Sequence, residues 1–184
     1  MIYLDYAAST PVDDQVLDTF YNVSKKYYAN PNSIHKFGVE TKNLIDNNTI
    51  DIANKLGVLK EEIKYTSGAS ESNNLVIKGI CERYKNRGKH ILISSLEHNS
   101  IVASATAMQE LGFEVEIIPV KKDGFIDIDA LKKMMRQDTI LVSICSVDSE
   151  LGLKQPIEEI GEFLKEYPNC YFHTDASQAI GKVN

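Results

Sequence analysis

Tyr65-Thr66-Ser67-Gly68-Ala69-Ser70-Glu71-Ser72-Asn73-Asn74 is the stretch whose reading decides the fold of this chain. It predicts a short strand, Ile63 to Thr66, a small polar turn at Ser67 and Gly68, and a helix from Ser70 to about Lys85. The first turn of a helix leaves backbone N–H groups without partners and carries the positive end of the macrodipole. A turn of small residues lets an anion approach that backbone, with the Ser67 and Ser70 hydroxyls as extra donors. Taken alone, the stretch fits an ordinary N-capped helix, with Ser67 or Ser70 as the cap, better than a phosphate cup. Its spacing is not that of a Walker loop or of the dinucleotide fingerprint. The phosphate reading gains weight from what the later strands bring beside it.

From Ile63 onward, short apolar segments alternate with amphipathic ones. The predicted strands are Ile63 to Thr66, His90 to Ser94, Glu114 to Ile118, Thr139 to Ser143 and Tyr171 to Asp175. The predicted helices between and after them are Ser70 to Lys85, Asn99 to Leu111, Asp127 to Met135 and Pro156 to Glu166. This alternation implies an α/β fold, a mostly parallel sheet with helices on both faces. Ahead of it, Thr10 reads as an N-cap with Pro11 at the first helical position, opening a helix that carries Val16, Leu17, Phe20 and Val23 at helical spacing. Ala29-Asn30-Pro31-Asn32-Ser33 breaks that helix, and a second runs from near Ser33 to Leu56, stopped by Gly57 as C-terminal cap. Residues 1–60 thus form a helical arm and residues 61–184 the sheet domain.

A length of 184 residues, 43% hydrophobic and 25% charged, suits one soluble domain with an appendage. The formal net charge of -6 gives no electrostatic drive toward nucleic acid or an anionic membrane. No apolar run is long enough to span a bilayer, and Met1 leads straight into Ile-Tyr-Leu-Asp, so a cytoplasmic protein without a signal peptide is expected. The three cysteines, Cys81, Cys145 and Cys170, lack metal spacing and read as reduced structural thiols.

In parallel sheets, ligands sit beyond the carboxyl ends of the strands. Here those ends carry Ser67 to Ser70, then Ser94, Ser95, Glu97 and His98, then Ser143 and Ser146 to Glu150, and finally His173 to Gln178. Four strands therefore deliver polar and titratable groups to one edge, the layout of a site for a polar, phosphate-bearing small molecule. Asp175 closes a strand that would otherwise stay apolar; it suits a partner for a protonated ring nitrogen, or a cap for the following turn. His98 follows a strand and caps the next helix, where its ring can stack on an aromatic cofactor or relay protons, or simply lie at the surface. Gln178 can donate to a ring oxygen or bond its own loop. His173 reads as a core histidine, His35 as a solvated helix start within reach of a substrate, and His90 has no supporting context.

Several of these segments together resemble one family. They are Tyr3-Leu-Asp-Tyr-Ala-Ala-Ser-Thr-Pro11, Asn30-Pro-Asn-Ser33, His35-Lys-Phe-Gly38, Thr66-Ser-Gly-Ala-Ser-Glu-Ser-Asn-Asn74, Glu97-His98, Asp138-Thr-Ile-Leu-Val-Ser143 and His173-Thr-Asp-Ala-Ser-Gln178. The chain resembles the N-terminal part of a NifS/IscS-type cysteine desulfurase, in the class V aminotransferase group of pyridoxal-phosphate enzymes, from Ile2 to its last residue. The resemblance implies an incomplete large domain of the aspartate-aminotransferase-like, fold type I architecture. The second to fifth strands would lie in the order three-two-four-five, with the first strand apart. It implies pyridoxal 5'-phosphate as cofactor. Ala69 and Ser70 match the phosphate-binding pair, Ser70 standing where threonine is usual. His98 matches the histidine stacked on the ring, Asp175 the partner of the pyridine nitrogen, and Gln178 the contact to the phenolic oxygen. Asn30 and His35 are weaker, substrate-side candidates, and no metal is expected. The implied reaction takes sulfur from L-cysteine, leaving alanine and a persulfide for iron–sulfur or thio-cofactor assembly. A sulfur-acceptor protein and a homodimer, or a complementary chain, are the implied partners.

Two departures stand out. Where the family has Val-Asn-Asn-Glu, this chain has Val147-Asp148-Ser149-Glu150, so Ser149 replaces an asparagine that helps hold the phenolic oxygen, and Asp148 adds a charge nearby. The family's cofactor-linking lysine and its catalytic-cysteine loop match nothing up to Asn184, so residues 1–184 alone are expected to be inactive. Another class V activity, such as selenocysteine lyase or an aminotransferase, and a non-catalytic module acting by association are the alternative readings.

Overall fold

The computed structural model describes residues 1–183. The chain divides into two units, Met1–Tyr65 and Thr66–Asn184. The first holds α1 (Asp14–Lys26), α2 (Lys36–Leu56) and a single 3-10 turn at Lys60–Glu62. The second holds α3 (Ala69–Tyr84), β1 (His90–Ser94), α4 (Asn99–Gln109), β2 (Glu114–Ile118), α5 (Ile128–Met134), β3 (Thr139–Ser143), α6 (Ile157–Leu164) and β4 (Tyr171–His173).

In the first unit, α1 opens later than its sequence suggests. Asp13, not Thr10, is the N-cap, its carboxylate accepting from the Gln15 amide at 2.9 Å. A carboxylate placed there satisfies an otherwise orphaned donor and opposes the helix dipole. The apolar side chains Val16, Leu17, Phe20 and Val23 do follow helical spacing, but all four are exposed. α2 starts at Lys36 because His35 caps it, Nδ1 accepting from the Gly38 amide at 3.2 Å. It ends as expected at Gly57, in the left-handed conformation at φ 67°. Gly38 is needed for another reason. A Cβ built on it would lie 2.4 Å from the Ser33 carbonyl oxygen and 2.8 Å from that of Asn30, so only glycine lets the Asn30–Ser33 turn close onto the helix.

In the second unit the sheet is fully parallel, with strand order β2-β1-β3-β4. This is the three-two-four-five order that the resemblance implies. Strand alternation divides the buried residues into two cores. Ile91 and Ile93 of β1 join Leu141, Ile77 and Cys81 of α3, and Ile101 and Ala105 of α4 on one face. Leu92 and Val142 join Leu131 of α5 and Ile160 and Leu164 of α6 on the other. Helices therefore cover both faces. No helix among the described residues is long and apolar enough to cross a membrane.

The strand expected at Ile63 to Thr66 does not form; those residues are extended but unpaired. A β-strand exists only through a ladder with a neighbour, and among the described residues none lies beside this one. The sheet thus has four strands where the sequence suggests five. β4 is also shorter, ending at His173 rather than Asp175. Its tie to the extension of β3 continues regardless: Ile144 N donates to His173 O at 3.1 Å and Ser146 N to Asp175 O at 2.9 Å. Asp175 therefore remains in strand register without being a strand residue.

Candidate functional site

The site lies at the carboxyl edge of the sheet, built on the N-terminus of α3. α3 begins at Ala69, with Gly68 as N-cap and no side-chain cap. This excludes both Ser67 and Ser70 as the helix cap. Ser67 is engaged elsewhere: its amide and its hydroxyl each donate to Glu71 Oε2 at 2.6 Å. These two bonds hold the Glu71 carboxyl below its ordinary value. Ser67 thereby drops out as a donor to an external anion, contrary to the sequence reading. Ala69 and Ser70, in the exposed first turn, retain the open backbone donors. A Cβ on Gly68 would meet no atom of the described residues within 4 Å, so they leave the space beside this turn open.

Further along α3, Asn73, Ile77 and Cys81 form one buried stripe four residues apart. Asn73 is the polar head of that stripe and is 3% exposed. Its Nδ2 donates to Asp175 Oδ2 at 2.8 Å and to Ser100 Oγ at 3.0 Å. Asp175 Oδ1 accepts from the Ser177 amide and hydroxyl. Burial opposes ionisation of Asp175, but the Ser177 hydroxyl and amide, the Asn73 amide and nearby His173 outweigh it and hold the carboxyl below its ordinary value. Asp175 is an anion at neutral pH.

His98 is the N-cap of α4, as its position after β1 suggests. Its Nδ1 accepts from the Ser100 amide at 3.1 Å and lies 2.8 Å from Ser100 Oγ. Nδ1 is thus the acceptor in this cap, which leaves Nε2 as the ring N–H. The imidazole is exposed. His173, at the end of β4, pairs through Nδ1 with Ser143 Oγ at 2.9 Å, and burial keeps its basicity low.

Ser149 is exposed in the turn after β3. Neighbouring Asp148 is buried, and its carboxylate accepts from the Glu150 and Leu151 amides. Its charge is engaged by its own turn. Gln178 is partly buried in the turn that follows Asp175. Asn30 and His35 belong to the other unit, where Asn30 Oδ1 accepts from the Asn32 amide and His35 caps α2. A cleft of about 630 Å³ lined by Ser146, Gln155, Ala176 and Ala179 is bordered by none of Ala69, Ser70, His98 or Asp175.

Three residues without a role in the sequence reading matter here. Asn73 and Ser100 link Asp175 to His98. A polar residue on an otherwise apolar helical stripe was the available signal for Asn73. Glu97, whose Oε1 accepts from Ser94 Oγ and the Cys145 amide, both at 2.7 Å, fastens β1 to β3 at this edge.

Residues 2–184 match the aminotransferase class-V family. The chain belongs to this family. Among curated class V relatives, it is 43% identical over 182 residues to the cysteine desulfurase IscS of Dictyoglomus turgidum, covering 99% of this chain and 46% of that protein. It is 45% identical over 183 residues to the mitochondrial cysteine desulfurase of Candida albicans, covering 99% of this chain and 37% of that protein. Among solved structures, a NifS-like protein superposes with a TM-score of 0.95 at 34% identity, over 99% of this chain and 50% of the other. A structure described as SspA in complex with cysteine gives 0.91 at 38% identity, over 98% and 52%. The chain spans half or less of the length of the curated relatives named here.

Proposed function

We propose that residues 61–184 are the pyridoxal-phosphate-binding domain of a cysteine desulfurase, with residues 1–60 as its helical arm. The observation that carries this reading is the hydrogen bond from Asn73 of α3 to Asp175. It ties an ionised carboxylate to the same helix whose open first turn offers phosphate donors. Ser70 and Asn73 are three residues apart, about 4.5 Å along a helix axis. One short cofactor can therefore meet both.

The chemistry of the residues fits that cofactor. Ala69 and Ser70 would hold the phosphate through the helix N-terminus. Asp175 would hold the protonated pyridine nitrogen, and the His98 ring would stack on the cofactor face. Ser149 and Gln178 are the proposed contacts to the phenolic oxygen. Asn30 and His35 are the proposed substrate-side residues. When bound, the cofactor supplies an electron sink for bonds at the substrate α-carbon. By keeping its negative charge, Asp175 keeps the ring nitrogen protonated, which that sink requires.

The overall reaction converts L-cysteine to L-alanine and leaves the sulfur as an enzyme persulfide for an acceptor protein. The resemblance assigns no residue of 1–184 to the cofactor-linking lysine, so these residues bind and orient the cofactor without completing the reaction themselves. The exposed apolar stripe on α1 supports association with a second chain.

The test is a pyridoxal-phosphate titration followed by visible absorbance, run in parallel on Asp175→Ala. Saturable binding to the parent protein, weakened about 30-fold or more in the variant, is expected from loss of a charge-assisted hydrogen bond. Equal binding by both, or none by the parent, overturns the reading.

A further inference from the structure

We propose that Asn73 and Ser100 are a positioning pair that ties Asp175 to His98 and fixes how the two grip one ring. The proposal rests on reading the site as a pyridoxal-phosphate site, and deepens it.

Asn73 Nδ2 has two hydrogens, one directed to Asp175 Oδ2 and one to Ser100 Oγ. Its orientation is not interchangeable, because turning the amide would set its oxygen against the carboxylate. Ser100 Oγ accepts from Asn73, so its single proton is available for His98 Nδ1, 2.8 Å away. The Ser100 amide donates to that same Nδ1. Donation therefore diverges from Asn73, to the Asp175 anion on one side and through Ser100 to His98 Nδ1 on the other. It leaves the His98 proton on Nε2.

The same links decide which carboxylate oxygen serves the ligand. Oδ1 of Asp175 takes two donors from Ser177, which fills both of its lone-pair directions. Oδ2 takes Asn73 and keeps one direction for a ring N–H. Asn73 thus sets the rotation of the carboxylate about its own axis. Because it is almost fully buried, water cannot substitute for it. Few side chains can take this place. The bridge needs two donors in a planar fork; leucine has the volume but no donor, and aspartate would face Asp175 with a second negative charge.

The experiment uses the full-length protein with Asn73→Leu, Asn73→Asp, Ser100→Ala and Ser100→Thr. Two quantities are read: the pyridoxal-phosphate Kd by absorbance titration, and, without cofactor, the Asp175 titration by carbon-13 NMR of carboxyl carbons. Asn73→Leu is expected to weaken cofactor binding ~10- to 100-fold. It should also move the Asp175 titration to higher pH, since a donor to the charged form is lost. Asn73→Asp is expected to weaken binding further. Ser100→Ala should weaken binding about fivefold, and Ser100→Thr, which keeps the hydroxyl, should restore it. The serine pair carries the test if the Asn73 variants do not fold. Unchanged Kd in Ser100→Ala, or an Asp175 titration unmoved in a folded Asn73→Leu, overturns the proposal. A parent protein that binds no cofactor, with the Asp175 titration still shifted by Asn73→Leu, refutes the cofactor reading and leaves the Asn73–Asp175 link standing.

Discussion

Glu97 accepts the Cys145 backbone amide at 2.7 Å and so clamps the end of β1 to the chain leaving β3. The same oxygen accepts the Ser94 hydroxyl, while Oε2 is shut away from solvent with no hydrogen-bond partner assigned among the described residues. Burial, reinforced by nearby Asp175 and only partly offset by those two bonds and the Ser143 hydroxyl, pushes the Glu97 carboxyl up to about 7 from its ordinary 4.5. Its folded-state pKa is raised, so its contribution is fully present below about 4.5 and is lost as pH rises through about 7. From this group alone, the fold is expected to weaken by up to ~3 kcal/mol between those pH values. Glu97→Gln should flatten that part of the profile. Urea melts of both proteins from pH 5 to pH 8 check this, and identical slopes would refute it.

All three cysteines are expected to be unreactive in the folded protein. Burial raises the Cys81 thiol to about 11. Burial, with the Glu97 and Asp148 charges behind it, raises Cys145 to about 12. Burial likewise raises Cys170 to about 12. Only the thiolate attacks a disulfide reagent. A chromogenic disulfide at about pH 8 should therefore titrate none of them in minutes, and all of them in ~8 M urea, where the chain is unfolded. Rapid reaction of one native thiol would contradict these environments.

Gly38→Ala should destabilise the first unit. The new methyl would fall on two backbone oxygens, which cannot move without opening the Asn30–Ser33 turn. Overpacking of this kind costs about 1–3 kcal/mol. Amide exchange in residues 30–41 should rise, a local readout that separates turn opening from global loss. Unaltered exchange there would mean the turn accommodates the methyl.

Burial should separate two apolar truncations sharply. Ile91, fully buried between β2 and β3, is expected to cost about 2–5 kcal/mol as alanine. Phe20 on α1 is 71% exposed, and its alanine variant should fall within about 0.5 kcal/mol at low protein concentration. A larger Phe20 effect that grows with concentration would show that a second chain covers this face. Denaturant melts at two concentrations distinguish the outcomes.

Much of the fold was legible because its causes are local. The segments at His90–Ser94, Glu114–Ile118 and Thr139–Ser143 form as strands over the residues their apolar runs mark. Gly57 stops α2, Pro156 precedes α6 and His98 caps α4, because capping depends on residues within one turn. Helix starts were less well fixed, since Thr10 and Asp13 are both good caps and only the backbone path selects Asp13.

The sequence by itself determined the order of elements, the faces each strand turns to the two cores, and the motifs that mark the family. Tertiary structure decided what depends on distant partners. Ile63 to Thr66 has strand-like residues but no neighbour to pair with among the described residues. Ser67 turned to Glu71 rather than outward, a choice between two nearby acceptors that spacing cannot make. The contact that organises the site joins Asn73 to Asp175 across 102 residues of chain. No local periodicity encodes such a pair. It exists because β3 lies between β1 and β4 in the sheet and α3 packs over that face, which brings a buried amide and a carboxylate within one hydrogen bond.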